Sequence, residues 1–256
     1  MKKQSNKQRD RIMAYLKQLR MPAMRARFEA LAETARRENM GYEAYLLALC
    51  DAESEARRQN RIERNLIASR IPREKTLEAL DLDRFGSRIA LQVRTLLEGG
   101  FLDRRENILA FGNPGSGKTH LLCAIGQHLI HAGGRIYFTP CSRLVQQLLR
   151  AKQALTLDKH LKWLARFDAI IIDDIGYVQH DREEMEVLFT LLAERYERGS
   201  IMLTSNLPFS QWERIFKDPM TTAAAIDRVV HHSVILELNI DSYRMESAKR
   251  RQKGEN

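Results

Sequence analysis

The chain has 256 residues, 44% apolar and 29% charged, enough for one large domain or for a compact α/β domain with a smaller helical one. No apolar run reaches the length that spans a bilayer, and the charged stretch Met1 to Arg11 has no apolar segment behind it, so neither a membrane span nor a secretory signal is expected. The net charge of +9 is uneven: residues 1–75 hold 18 basic and 10 acidic side chains, and the rest of the chain is nearly neutral. That imbalance fits either a surface for a polyanion, most simply nucleic acid, or a solvated helical face rich in arginine.

The first third reads as helix throughout. Met24, Phe28, Leu31 and Ala35 fall at helical spacing, as do Tyr45, Leu49, Ala52 and Ala56, with Pro22 and Asn39-Met40-Gly41 as punctuation. Ile71-Pro72 disfavours helix and marks a boundary, so residues 1–72 are expected to form a basic all-helical domain and 73–256 a second domain. The segment from Thr76 to Gly100 leads into the latter. Cys50, Cys123 and Cys141 are odd in number and lack metal-ligand spacing, as expected for reduced thiols in a cytoplasmic protein.

Next comes an apolar run, Ile108 to Phe111, then Gly112-Asn113-Pro114-Gly115-Ser116-Gly117-Lys118-Thr119, then an amphipathic helix from Leu121 to His131. The eight residues match G-x-x-x-x-G-K-[ST], a loop whose glycines let successive N–H groups face the phosphates of a nucleoside triphosphate. Lys118 is expected to reach the β- and γ-phosphates, and the Thr119 hydroxyl to bind Mg²⁺.

Strand and helix then alternate. Arg135 to Thr139 reads as a strand and Ser142 to Ala151 as a helix, followed by a strand from Asp168 to Asp173. Arg182 to Arg198 reads as a long helix ended by Gly199, and Ser200 to Ser205 as a strand. Short helices are expected around Gln211 to Phe216 and Thr221 to Val230, before a last strand from Val234 to Leu238. Such alternation predicts a parallel sheet covered by helices on both faces. The third strand ends in Asp173-Asp174 at the sheet edge where ligands bind in open α/β folds. Asp173 is the expected Mg²⁺ partner, and Asp174 is placed to polarise the attacking water. Asn206, after Thr204-Ser205, either orients water against the γ-phosphate or caps the turn before Leu207-Pro208.

These motifs in this order resemble an AAA+ ATPase, and more closely the IstB/DnaC group of transposition helpers and helicase loaders. The resemblance covers nearly the whole chain. Leu19-Arg20-Met21-Pro22-Ala23-Met24 is similar to the opening of the IstB N-terminal domain. The phosphate loop from Phe111 to His120, Ile171-Ile172-Asp173-Asp174-Ile175-Gly176-Tyr177, Thr204-Ser205-Asn206, Ile226-Asp227-Arg228-Val229-Val230-His231-His232 and Asp241-Ser242-Tyr243-Arg244 are similar to later IstB segments.

The resemblance implies Mg²⁺-dependent ATP hydrolysis between neighbouring subunits of a ring or helical filament, with Arg228 supplied in trans. An ion pair of Arg228 with Asp227 or another local carboxylate is the structural alternative. It also implies that Arg143 to Arg166, which bears Arg143, Arg150, Lys152, Lys159, Lys162 and Arg166, lines a nucleic-acid channel; a solvated helix face is the bland alternative. The expected partners are duplex DNA, a transposase encoded with the same element and further copies of the chain. A helicase loader is the alternative function, disfavoured by the Leu19–Met24 opening. A small-molecule phosphoryl transferase is disfavoured by the Asp-Asp strand end and the basic first third.

Two departures from the AAA+ pattern stand out. Asp174 occupies a position where many AAA+ enzymes carry Glu. The 18 residues after Leu238 are too few for the usual helical lid, which leaves the second sensor arginine unassigned, Arg244 being no more than a candidate. No metal other than Mg²⁺ is expected, because adjacent helical residues such as His231 and His232 point about 100° apart.

Overall fold

A computed structural model describes residues 2–176, 182–216, 219–240 and 242–243. The chain forms two compact units, Met1–Arg64 and Asn65–Asn256.

The first unit holds α1 (Lys2–Gln18), α2 (Pro22–Arg37) and most of α3 (Tyr42–Ser69). The Leu19–Met24 opening is a helix start. Arg20 takes a left-handed φ of 56°, and Pro22 sits in the first turn of α2, where its missing N–H costs nothing. Met21 provides no side-chain cap. Instead the buried carboxylate of Glu53, on α3, accepts the N–H groups of Ala23 and Met24 at 2.8 and 3.1 Å. Arg57, one turn further along α3, clamps Glu53 at 2.9 Å and donates to the Arg20 carbonyl at 2.8 Å. Burial pushes the Glu53 carboxyl up, but the hydrogen bonds from Arg57, Met24 and Ala23 outweigh it and hold it below the usual carboxylate range.

In the second unit, two helices, α4 (Gly86–Leu97) and the single turn α5 (Gly100–Asp103), precede the sheet. Its strands are β1 (Asn107–Gly112), β2 (Ile136–Pro140), β3 (Ala169–Asp173), β4 (Ser200–Ser205) and β5 (Ser233–Leu238). All are parallel, in the order β2-β3-β4-β1-β5. Helices α6 (Lys118–His131), α7 (Cys141–Gln153), α8 (Leu157–Leu164), α9 (Arg182–Arg195), α10 (Glu213–Phe216) and α11 (Pro219–Val230) complete it.

Alternate strand residues serve the two faces. Leu109, Tyr137, Ile170, Ile172, Ile201 and Leu203 join the core formed with α7, α9 and Trp212. On the other face α6 lies close to the sheet at Gly126, where an added Cβ would stand 2.9 Å from Ile171 and 3.0 Å from Ile71. The parallel α/β fold expected from the alternation of elements is the one observed.

One helix is shorter than its pattern predicts. α9 stops at Arg195, not Arg198, because Arg195 turns inward and Glu197 takes a left-handed φ of 55°. The buried Arg195 guanidinium donates to the carbonyls of Phe167, Asp168 and Ser200 at 2.8–3.0 Å, tying the starts of β3 and β4 to the helix end. Gly199 leaves it room, since a Cβ there would meet the guanidinium. Cys123 and Cys141 are buried thiols, both pushed up to about 12 by burial, and Cys50 is exposed. Among the described residues no helix is long and apolar enough to cross a membrane.

Candidate nucleotide-binding site

Because every strand is parallel, the carboxyl ends of β1, β3 and β4 open on one edge, and that edge carries a cavity of about 600 Å³. Pro114 to His120 and Asp174 line it, together with Lys75, Leu80, Arg84, Phe85, Ile240 and Tyr243.

The loop between β1 and α6 is shaped by its glycines. Gly115 and Gly117 have φ of 83° and 92°, a conformation side chains disfavour. At Gly115 a Cβ would collide with Ser242, and at Gly117 it would press on the Phe85 ring at 3.3 Å. Tyr243 donates its N–H to the Gly115 carbonyl at 3.1 Å, so the Ser242-Tyr243 segment packs onto the loop; Asp241 and Arg244 lie outside the described residues. Arg84 stacks over the Tyr243 ring at 5.1 Å. Lys118 is buried, and its ammonium donates to the carbonyls of Gly112 and Asn113 at 2.7 and 2.9 Å. That places a cation against the loop that faces the cavity. His120 meets the Thr76 carbonyl through Nε2 at 3.0 Å.

The two aspartates are tied in through Thr204, a motif residue to which the sequence assigns no role of its own. One oxygen of Asp173 accepts from the hydroxyls of Thr119 and Thr204, each at 2.7 Å. The Thr204 hydroxyl in turn accepts the Asp174 N–H at 2.8 Å. Asp174 takes a left-handed φ of 59° in this bond and lines the cavity. Strain of this kind, about 1 kcal/mol for a short polar residue, persists where neighbours over-determine it. A hydroxyl and a carboxylate this close, beside a phosphate loop, form a hard oxygen set that suits Mg²⁺. Asn206 does not line the cavity; its buried Oδ1 fills the space beside Gly176 and takes no hydrogen bond among the described residues. Tyr177 lies outside the described residues.

Arg228 is half-buried on α11, away from this cavity. Its guanidinium stacks over Phe189 at 4.7 Å and donates to the Ala224 carbonyl at 3.0 Å. The ion pair with Asp227 does not form among the described residues. On α7 and α8, Arg143, Arg150 and Lys159 are exposed and enter no ion pair among the described residues. Lys152 pairs with Glu186 at 2.9 Å and Lys162 with Asp158 at 2.7 Å.

Sequence reasoning quoted Thr204 only as part of the Thr204-Ser205-Asn206 segment, giving the role to Asn206, and missed the lining residues Lys75, Leu80, Arg84 and Phe85. Leu80, Arg84 and Phe85 lie in the stretch read only as a lead-in and Lys75 just before it, where no motif flags them.

Across residues 14–252 the chain matches the family described as IstB-like ATP binding protein. It is 43% identical over 239 residues to an insertion sequence ATP-binding protein of Sinorhizobium fredii (strain NBRC 101917 / NGR234), covering 93% of this chain and 80% of that one. It is 38% identical over 237 residues to the ATP-binding protein of insertion sequence IS5376 of Geobacillus stearothermophilus, covering 93% and 94%. Among solved structures it is similar in fold to AMPPCP-bound DnaA from Aquifex aeolicus, with a TM-score of 0.57 over 72% of this chain and 56% of that chain. At 19% identity that likeness shows the fold alone, a DnaA-like parallel sheet flanked by helices, in line with the fold that the motif order led one to expect.

Proposed function

Since the chain belongs to the IstB-like ATP-binding proteins of insertion sequences, we propose that it is a Mg²⁺-dependent ATPase that assembles on DNA and helps a transposase. The observation that carries the hydrolytic part is the Thr119–Asp173–Thr204–Asp174 chain of hydrogen bonds, whose two ends, Thr119 and Asp174, line the cavity.

Thr119 and Asp173 would hold the metal, which when bound neutralises phosphate charge. Lys118 contributes a fixed cation for the β- and γ-phosphates. The bond from Asp174 N–H to Thr204 fixes the backbone that presents the Asp174 carboxylate to the cavity, where it would polarise the attacking water. Arg228 lies outside its own chain's cavity, so the reading in which it acts gives it to the site of a neighbouring copy. An arginine supplied in this way contributes roughly 10³–10⁵ in rate. The exposed cations Arg143, Arg150 and Lys159 support a phosphate-tracking face on α7 and α8, with affinity that falls steeply with salt. The basic first unit would contact DNA, the transposase or both.

The test is complementation. Arg228→Ala and Asp174→Asn variants should each be nearly inactive alone. Mixed on duplex DNA, they should recover part of the wild-type turnover, because some interfaces then pair an intact Asp174 with an intact Arg228. No recovery at any ratio would refute the trans arrangement.

A further inference from the structure

At the opposite edge of the sheet, where the strands begin, three side chains converge. α11 ends at Val230, so His231 and His232 are not the adjacent helical residues whose side chains diverge. His232 takes a left-handed φ of 56° and brings the two imidazole centroids within 3.9 Å. Glu197, also left-handed, arrives from the turn that ends α9. One ligand atom from each of Glu197, His231 and His232 lies within 4.8 Å of the others.

We propose that Glu197, His231 and His232 form a binding site for a divalent transition ion of the zinc type. Two imidazoles and a carboxylate are the donor set such an ion favours, and imidazole disfavours Mg²⁺. Tetrahedral ligands at zinc bond lengths stand about 3.4 Å apart, so the three atoms need to contract by on the order of 1 Å. All three side chains are exposed, which leaves room for that adjustment.

Tyr196 supplies an outer partner: its hydroxyl lies 2.8 Å from His231 Nδ1. In the tautomer that donates from Nδ1 to the tyrosine oxygen, Nε2 presents its lone pair to the ion. The three residues line a depression of about 330 Å³ that also contains Asp103, Arg104, Arg105 and Asn107. The nearby cations are engaged, since Arg104 pairs with Glu106 at 2.9 Å and Arg105 donates to the Glu197 carbonyl. Asp103 and Glu197 add negative charge. An ion here would join the end of α9 to the end of α11, the two helices that carry Phe189 and Arg228. The site stands independently of the nucleotide cavity.

The experiment is zinc uptake by the tag-free full chain, measured by competition with a chromophoric chelator in excess Mg²⁺. One zinc per chain is expected, with affinity at least about tenfold weaker in Glu197→Gln and in His231→Gln/His232→Gln, and weakened to a lesser degree in Tyr196→Phe. Zinc should raise the melting temperature of the wild type but not of the double variant. All variants retain the three cysteines, so thiol binding would persist in them. Equal zinc affinity in the wild type and in a folded Glu197→Gln or double variant, or no uptake by the wild type, overturns the site.

Discussion

Thr204 is a single hydroxyl on which both aspartates depend: it donates to Asp173 and accepts from the Asp174 N–H. Thr204→Val keeps the shape and removes both bonds, leaving the backbone donor of Asp174 unpaired beside a buried strand. A stability loss of about 1–3 kcal/mol is expected in denaturant titration. ATP turnover should fall further than ATP affinity, because Lys118 and the loop amides remain while the carboxylates lose their positions. Unchanged turnover would contradict the role given to Thr204. The phosphate loop, Asp173 and Asp174 are legible in the sequence because each motif declares itself within a few residues of one segment. Thr204 is not, because its importance comes from the pairing of β4 with β3, which sets Ile172 opposite Leu203 and brings the next side chains together. A single strand's sequence does not reveal which neighbour it will have, and Asn206, the more conspicuous polar residue, lies outside the cavity lining.

At the scale of elements, two long-range clamps replace local caps. Glu53 holds the start of α2, and its depressed pKa carries a pH signature. A carboxyl whose folded pKa lies below its ordinary value of 4.5 stabilises fully above that value and loses the contribution as pH falls through the lower one. Glu53→Gln should therefore cost about 0.5–2 kcal/mol at neutral pH, as loss of a cap does, and the difference from wild type should shrink in acid. Urea titrations at pH 7 and in the acid range measure both. Asn107 is the second clamp. Its side-chain oxygen accepts the Ile201 N–H at 2.8 Å, and its amide donates to the Val229 carbonyl at 3.0 Å, joining the start of β4 to the end of α11. Asn107→Ala should destabilise by about 1–3 kcal/mol and loosen the helix that bears Arg228, seen as faster amide hydrogen exchange over α11. The helices themselves are legible from periodicity, but their ends are less so. α9 stops early because Arg195 finds carbonyl partners on β3 and β4 that only the folded sheet assembles.

For the whole molecule, alternation of strand and helix announces a parallel sheet, and the fold follows that expectation. Strand order does not follow from sequence order, since β1 lies between β4 and β5. That order sets the phosphate loop beside the Thr204 strand and, with Ile71 under Gly126, gives residues beyond α3 a place against α6. Arg228 sits near the start of β1, with its carbonyl 3.5 Å from Asn107 Nδ2, and does not line its own chain's cavity, so under the proposed trans arrangement an isolated chain is expected to hydrolyse ATP poorly. The most direct measurement is ATP turnover per chain on duplex DNA across a dilution series, with sedimentation on the same samples. Turnover that rises steeply as chains associate, and stays near background while they are monomers, is the predicted result. A full rate per chain in samples that sediment as monomers would contradict it.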